Sequence, residues 1–199
     1  VQLEESSFAS AYCDGSLGSG HSWSGTAHAS ASSRTAAQLT YPTSGNIHDE
    51  VGTVMAWVYV YRSAGTQTIM RITGSTAGNI YLLISSGNLA GYWGTAEVTD
   101  AAGAITANTW THVAMTYSGG TLTLYVNGAE VATGSSSGFV GMPATINVGG
   151  ATGSNVLSGL IDDFVITESV IDADGIRAVY ESDAPVFAES SRFSFRATP

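Results

Sequence analysis

The sequence predicts an all-β protein: two antiparallel sheets stacked as a sandwich, with one short helix near the C-terminus. Three observations predict it. Val, Ile, Thr, Tyr and Trp are common and strong helix formers are scarce, the composition of pleated, half-buried surfaces. Glycine numbers 24 and proline only 4, so turns rather than proline breaks separate the elements. Several segments alternate with period 2 between turn signals roughly 8–12 residues apart, as a sandwich requires.

The elements follow in order. "TVMAWVYVY" (Thr53–Tyr61) places Val54, Ala56, Val58 and Val60 on one face and Met55, Trp57, Tyr59 and Tyr61 on the other. Both faces are apolar, so this strand is expected to be central and covered on both sides. "TIMRITG" and "NIYLLISSG" are two more strands, joined by a Gly-rich turn at Gly74–Gly78. "LAGYWGTAEVT" (Leu89–Thr99) is one further strand, weakened by glycine. Strand Thr111–Tyr117, a Ser118-Gly119-Gly120 turn and strand Thr121–Val126 form a hairpin. Asn127-Gly128 then suits a type I′ turn. "ATINVGG" and "GLIDDFVIT" close the series of long strands. In Asp172–Ser182, Ile176, Val179 and Tyr180 have helical i, i+3, i+4 spacing, and Asp172 or Asp174 can cap the start. Phe193 and Phe195 alternate with Ser194 and Arg196, which suggests a last short strand. Neither a repeat nor a clear boundary divides the chain, so residues 1–199 are expected to form one domain.

Charge narrows the partners. Six Lys+Arg against sixteen Asp+Glu give −10, and every one of the six cations is arginine. Tracking a phosphate backbone needs clustered cations, so neither nucleic acid nor anionic membrane is an expected partner. A carboxylate-rich surface suits divalent cations or neutral ligands instead. No apolar run approaches the ~20 residues of a membrane span, and no signal peptide is visible. The single cysteine, Cys13, excludes an intrachain disulfide and fits folding in a reducing cytosol. It is read as a small buried hydrophobe rather than a thiol catalyst.

From Val54 to Tyr180 the order of features resembles the laminin G-like and concanavalin A-like jelly-roll domains. The carrying residues are the Trp57 strand, "NTWTHVAMTYSGGTLTLYVNGAEVA", "INVGG", "LSGLIDDFVIT" and the helix ending "AVYES". A narrower likeness adds a setting. "YCDGSLGSGHSWSGTAHASASSR" (Tyr12–Arg34) and the closing "YESDAPVFAESSRFSF" are similar to segments of bacteriophage tail and virion proteins.

The opening run poses a problem of its own, because almost nothing in it but Gly, Ser, Ala and Thr could hold it in place. On a regular strand Asp162 and Asp163 would point to opposite faces, and a buried carboxylate needs a partner. With cations scarce, Ca²⁺ is a natural one, since it takes oxygens from carboxylates, carbonyls and water. The resemblance implies such an ion between the N-terminal segment and the last long strand. The expected ligands are Asp14, the carbonyl-rich run at Gly15, and Asp162 or Asp163. Residues 1–50 are then expected to wrap on the sandwich, with Trp23 as an apolar anchor. The competing reading makes Asp14 a turn cap and lets Asp162 or Asp163 bond loop amides. "DADG" (Asp172–Gly175) lacks the closing Glu of a calcium-binding EF-hand loop and is read as a helix start. His21, His28 and His112 are not spaced as a zinc site.

The resemblance places Trp57 and Trp110 in the core. Tyr92 and Trp93, in the Gly-flanked "AGYWG", are the candidate ligand-binding aromatics, against the alternative that they pack in the core or at an edge. Catalysis is not expected. A retaining glycosidase needs two carboxylates about 5–5.5 Å apart, and no strand carries acids at i and i+2 or i+4. The sequence therefore reads as a non-catalytic recognition module on a virion surface, binding glycan or a host-surface receptor, folded in the host cytoplasm. The alternative is a structural domain that packs against other virion proteins or forms a homo-oligomer.

Overall fold

The computed structural model describes residues 16, 21–28, 30, 32–34, 39–73, 79–136, 142–150 and 155–182. The chain falls into two compact units, residues 1–37 and 38–199.

The first unit contains a small hairpin. Strand β1 (His21–Trp23) pairs antiparallel with β2 (Ser32–Arg34). Its turn is held by Ser30, whose hydroxyl accepts from Gly25 N at 3.0 Å and donates to Thr26 O at 2.9 Å. The Trp23 ring meets His28 edge-on at 5.0 Å, and its Nε1 donates to Ser16 at 3.1 Å. His28 sits at φ 61°, in the left-handed region that histidine tolerates better than most residues.

The second unit is the predicted sandwich. The elements after β2 are β3 (Leu39–Pro42), β4 (Val51–Val60), β5 (Thr66–Thr73), β6 (Asn79–Ser85), β7 (Asn88–Gly94), β8 (Ala96–Thr99), β9 (Trp110–Ser118), β10 (Thr121–Val126), β11 (Ala129–Ser135), β12 (Thr145–Val148), β13 (Gly159–Thr167) and α1 (Ala173–Ser182). A six-stranded sheet runs β3-β12-β5-β6-β7-β8 and a five-stranded sheet runs β11-β10-β9-β4-β13. All strand pairings in both sheets are antiparallel.

The main core lies between the sheets. Val54, Ala56, Val58 and Val60 of β4 meet Ile80, Leu82, Ile84 and Trp93 from the opposite sheet there. Strand β4 is central, as its two apolar faces predict. Its other face is covered too, because α1 lies on it. Ile176 packs with Met55, Ala114 and Tyr125 in a second core. Trp57, His112 and Tyr180 form an aromatic group on the same face, with Trp57 5.4 Å from His112 and 5.7 Å from Tyr180. Asp172 starts the helix: its carboxylate accepts from Gly175 N at 2.8 Å and its carbonyl from Ile176 N at 2.9 Å. "DADG" is thus an N-cap, as read from the sequence.

Two expectations are corrected. "LAGYWGTAEVT" is not one strand. It folds back on itself as β7 and β8, pairing Trp93 with Ala96 and Tyr92 with Glu97. Gly94 at φ 80° allows the reversal, a backbone state that glycine adopts without strain. Nor do Asp162 and Asp163 alternate on a regular strand. Opposite β4, Asp162 pairs with Trp57 but Val165 with Met55, a β-bulge. Asp163 is the extra residue, at φ 44°, and its amide donates to Asp162 Oδ1 at 2.9 Å. The bulge restores alternation beyond it, so Ile161, Phe164 and Ile166 all reach the main core. The strand expected at Phe193–Arg196 and the turn at Gly74–Gly78 lie outside the described residues.

Candidate ligand-binding face

The six-stranded sheet has an inner face, which builds the core, and an outer face, which does not. Side chains alternate between them. Ile72, Ile80 and Trp93 are buried between the sheets, so their neighbours Arg71, Tyr81 and Tyr92 project outward. Register makes these neighbours a row. Thr40 pairs with Asn147, Asn147 with Arg71, Arg71 with Tyr81, Tyr81 with Tyr92, and Tyr92 with Glu97. One residue from each of the six strands contributes, at the usual inter-strand spacing of about 4.8 Å.

The row is a chain of directed contacts. Thr40 donates to Asn147 Oδ1 at 3.3 Å. The Arg71 guanidinium carbon lies 4.9 Å from the centre of the Tyr81 ring, a cation–π distance. Tyr81 and Tyr92 meet edge to face at 5.6 Å, inclined by 66°. Burial and a side-chain hydrogen bond to Glu97 push the Tyr92 phenol up to about 12. Glu97 also accepts from Thr99 at 3.1 Å. Asn147, Arg71, Tyr81 and Tyr92 are half-buried, while Thr40, Glu97 and Thr99 are exposed. The face combines two aromatic rings, a cation, an amide and a carboxylate. That is the equipment for orienting a polar ligand with an apolar underside.

Trp93 is not part of it. It is 2% exposed, lies 4.8 Å from Tyr117, and donates from Nε1 to Asp49 O at 2.7 Å. The two candidate aromatics of "AGYWG" are therefore split, Tyr92 outward and Trp93 into the core, because adjacent strand residues face opposite ways. Sequence reasoning missed Arg71, Tyr81 and Glu97. Alternation alone directs Arg71 and Tyr81 outward, but only the β7–β8 reversal brings Glu97 beside Tyr92.

Of the expected metal ligands, Asp14 and Gly15 lie outside the described residues. Asp162 points to the helix side of the five-stranded sheet, beside Trp57 in register. Among the described residues no group of three or more His, Cys, Asp or Glu side chains converges. Asp100 is 1% exposed and uses both carboxylate oxygens on Ala102 N and Ala104 N, at 2.8 and 3.1 Å. It organises its own loop. Among the described residues no helix is long and apolar enough to cross a membrane.

A two-sheet antiparallel sandwich with a C-terminal helix and a polar-aromatic outer face defines a concanavalin A-like domain. The model of the concanavalin A-like lectin/glucanases superfamily, of laminin G type, matches residues 32–177, and the chain belongs to that family. No curated protein sequence matches it. Among solved structures it is similar to the botulinum neurotoxin serotype D binding domain, with a TM-score of 0.58 at 19% identity over 73% of this chain and 40% of that one. It is similar to the binding domain of botulinum neurotoxin DC in complex with SialylT, with a TM-score of 0.52 at 20% identity over 69% and 36%. A heptameric SAP-like pentraxin from Limulus polyphemus aligns over 80% of both chains, with a TM-score of 0.55 at 16% identity. The chain spans about two fifths of the length of the toxin domains. At these identities the likeness is one of fold.

Proposed function

We propose that this domain is a non-catalytic glycan-recognition module and that the outer row of the six-stranded sheet receives the sugar. The observation that carries the reading is the unbroken register from Thr40 to Glu97, which sets two tyrosines between hydrogen-bonding groups. Tyrosine rings supply faces for the C–H side of a pyranose, and the flanking polar groups orient its hydroxyls. The complex of one similar toxin domain with SialylT supports sugar binding by this fold. The absence of catalysis is argued from charge placement. Glu97 is the sole carboxylate in the six strands of the sheet, and a glycosidase needs two.

The test is a glycan array followed by titration calorimetry. Wild-type protein is expected to bind a subset of glycans, and Tyr92→Ala to lose about tenfold or more in affinity, from the loss of ring contact. An array without hits, or a Tyr92→Ala variant of unchanged affinity, overturns the reading.

A second reading has an observation of its own. On the five-stranded sheet Leu160, 45% exposed, pairs in register with Tyr59, whose ring meets Trp110 at 5.7 Å, inclined by 54°. Among the described strands this apolar row ends at the edge strand β13, and it suits packing against another chain. A dimer or higher oligomer broken by Leu160→Glu would favour it. The virion setting also belongs to the proposal. It rests on the likeness of Tyr12–Arg34 and of the closing segment, much of which lies outside the described residues. So does a bound Ca²⁺, which rests on the excess of carboxylates over cations.

A further inference from the structure

The polar row is not symmetric. Its β12–β5 end carries donor groups: the Arg71 guanidinium, beside the amide of Asn147, whose Oδ1 accepts from Thr40. Its β7–β8 end offers acceptors: the Glu97 carboxylate, which takes a hydrogen bond from Thr99 at 3.1 Å and stands beside Tyr92 in register, and the lone pairs of the Tyr92 oxygen. Arg71 is the sole cation in the six strands, as Glu97 is the sole anion. A guanidinium carries five N–H donors in a planar fork. Its stacking on Tyr81 at 4.9 Å and its place between β6 and β12 fix where it stands before a ligand arrives. A planar fork beside an aromatic ring matches a carboxylate attached to a sugar ring: two parallel hydrogen bonds for the acid, ring contact for the sugar.

From this polarity we infer that the glycan is acidic and carries a single carboxylate. Its acid group lies on Arg71 and its hydroxyl-rich end on Glu97, so the saccharide runs across the strands from β5 to β8. The inference rests on the glycan reading above and adds the ligand's class and direction. The protein's own charge limits it to one acid. At −10 the molecule repels polyanions, while at physiological salt the screening length of about 8 Å confines the favourable contact to Arg71 itself. A sialic acid and a uronic acid share the required chemistry, and the experiment separates them.

Titration calorimetry with the full chain uses lactose, 3′-sialyllactose, a lactose capped by glucuronic acid, the methyl ester of 3′-sialyllactose, and a sulfated heparin fragment. At least one of the two acidic trisaccharides is expected to bind about tenfold more tightly than lactose, the scale of one charge-assisted pair. The one that does so names the acid. When sialyllactose is that ligand, esterifying its acid removes the gain. Arg71→Gln, checked for folding by its melting curve, is expected to shrink the acid-to-neutral ratio by about the same factor, with Arg71→Lys in between because it keeps charge but not the fork. Equal affinity for lactose and both acidic sugars overturns the inference and leaves the glycan reading standing. Tighter binding of the heparin fragment overturns it as well, since one arginine cannot favour many sulfates over one acid. Failure of all five probes to bind overturns the inference, while the glycan reading stands or falls by the array.

Discussion

Tyr92 and Trp93 are neighbours with opposite tasks, and each can be removed without the other. Trp93→Ala empties a core position and strips a hydrogen bond from Asp49 O. It is expected to cost about 3–5 kcal/mol of stability, as large aromatic truncations do. Tyr92→Ala removes a half-exposed ring and is expected to cost about 1 kcal/mol or less, while abolishing most sugar affinity. Chemical denaturation and calorimetry on the pair check both halves. The phenols make a second prediction at this scale. Tyr92 is raised to about 12 by burial and Glu97, and Tyr117 is raised further by burial, then by Asp49 and Glu168. Both folded values exceed the ordinary tyrosine value near 10, so folding favours the neutral phenols. Their contribution is complete below about pH 10 and is lost as pH rises toward 12 and beyond. Absorbance titration near 295 nm should show late-ionising tyrosines, one fewer in Tyr92→Phe and one fewer in Tyr117→Phe. Melting temperature should fall steadily above pH 10.

At the scale of elements, β4, β9, β10, β13 and α1 were legible in the sequence because their patterns are long and uninterrupted. The β7–β8 reversal was not. Gly94 and Thr95 are a weaker turn signal than Asn-Gly, and the apolar residues on both sides read through it. The bulge in β13 was hidden for another reason. Alternation predicts faces only where the residue count on paired strands matches, and the extra residue at Asp163 shows only against β4. The site was half legible for these same reasons: alternation supplies Arg71, Tyr81 and Tyr92, while their alignment with Asn147 and Glu97 depends on pairings that the sequence does not state. The bulge carries a prediction. Asp163 holds a left-handed backbone, tolerated by Asn and Asp but opposed by a β-branched side chain. Asp163→Val is expected to lower stability by about 1–2 kcal/mol, and Asp163→Asn by less. Equal losses in the two variants would assign the effect to the carboxylate rather than the backbone.

Across the whole molecule, sixteen carboxylates face six arginines, and the compact state works against its own repulsion. Any salt relieves that repulsion by screening, so a rise in melting temperature with calcium chloride is not by itself evidence of a calcium site. Magnesium at the same ionic strength provides the comparison. It screens equally but demands a tighter octahedral shell. If a Ca²⁺ ion is bound, free calcium at about a hundred times its dissociation constant adds about 2.7 kcal/mol. For a chain of this size that is a rise of roughly 5–10 °C over magnesium. EGTA should return the melt to the magnesium value, and Asp14→Ala should remove the difference. Identical melts in calcium and magnesium would leave screening as the whole effect. The excess of acid would then serve solubility and the rejection of polyanionic partners, not an ion.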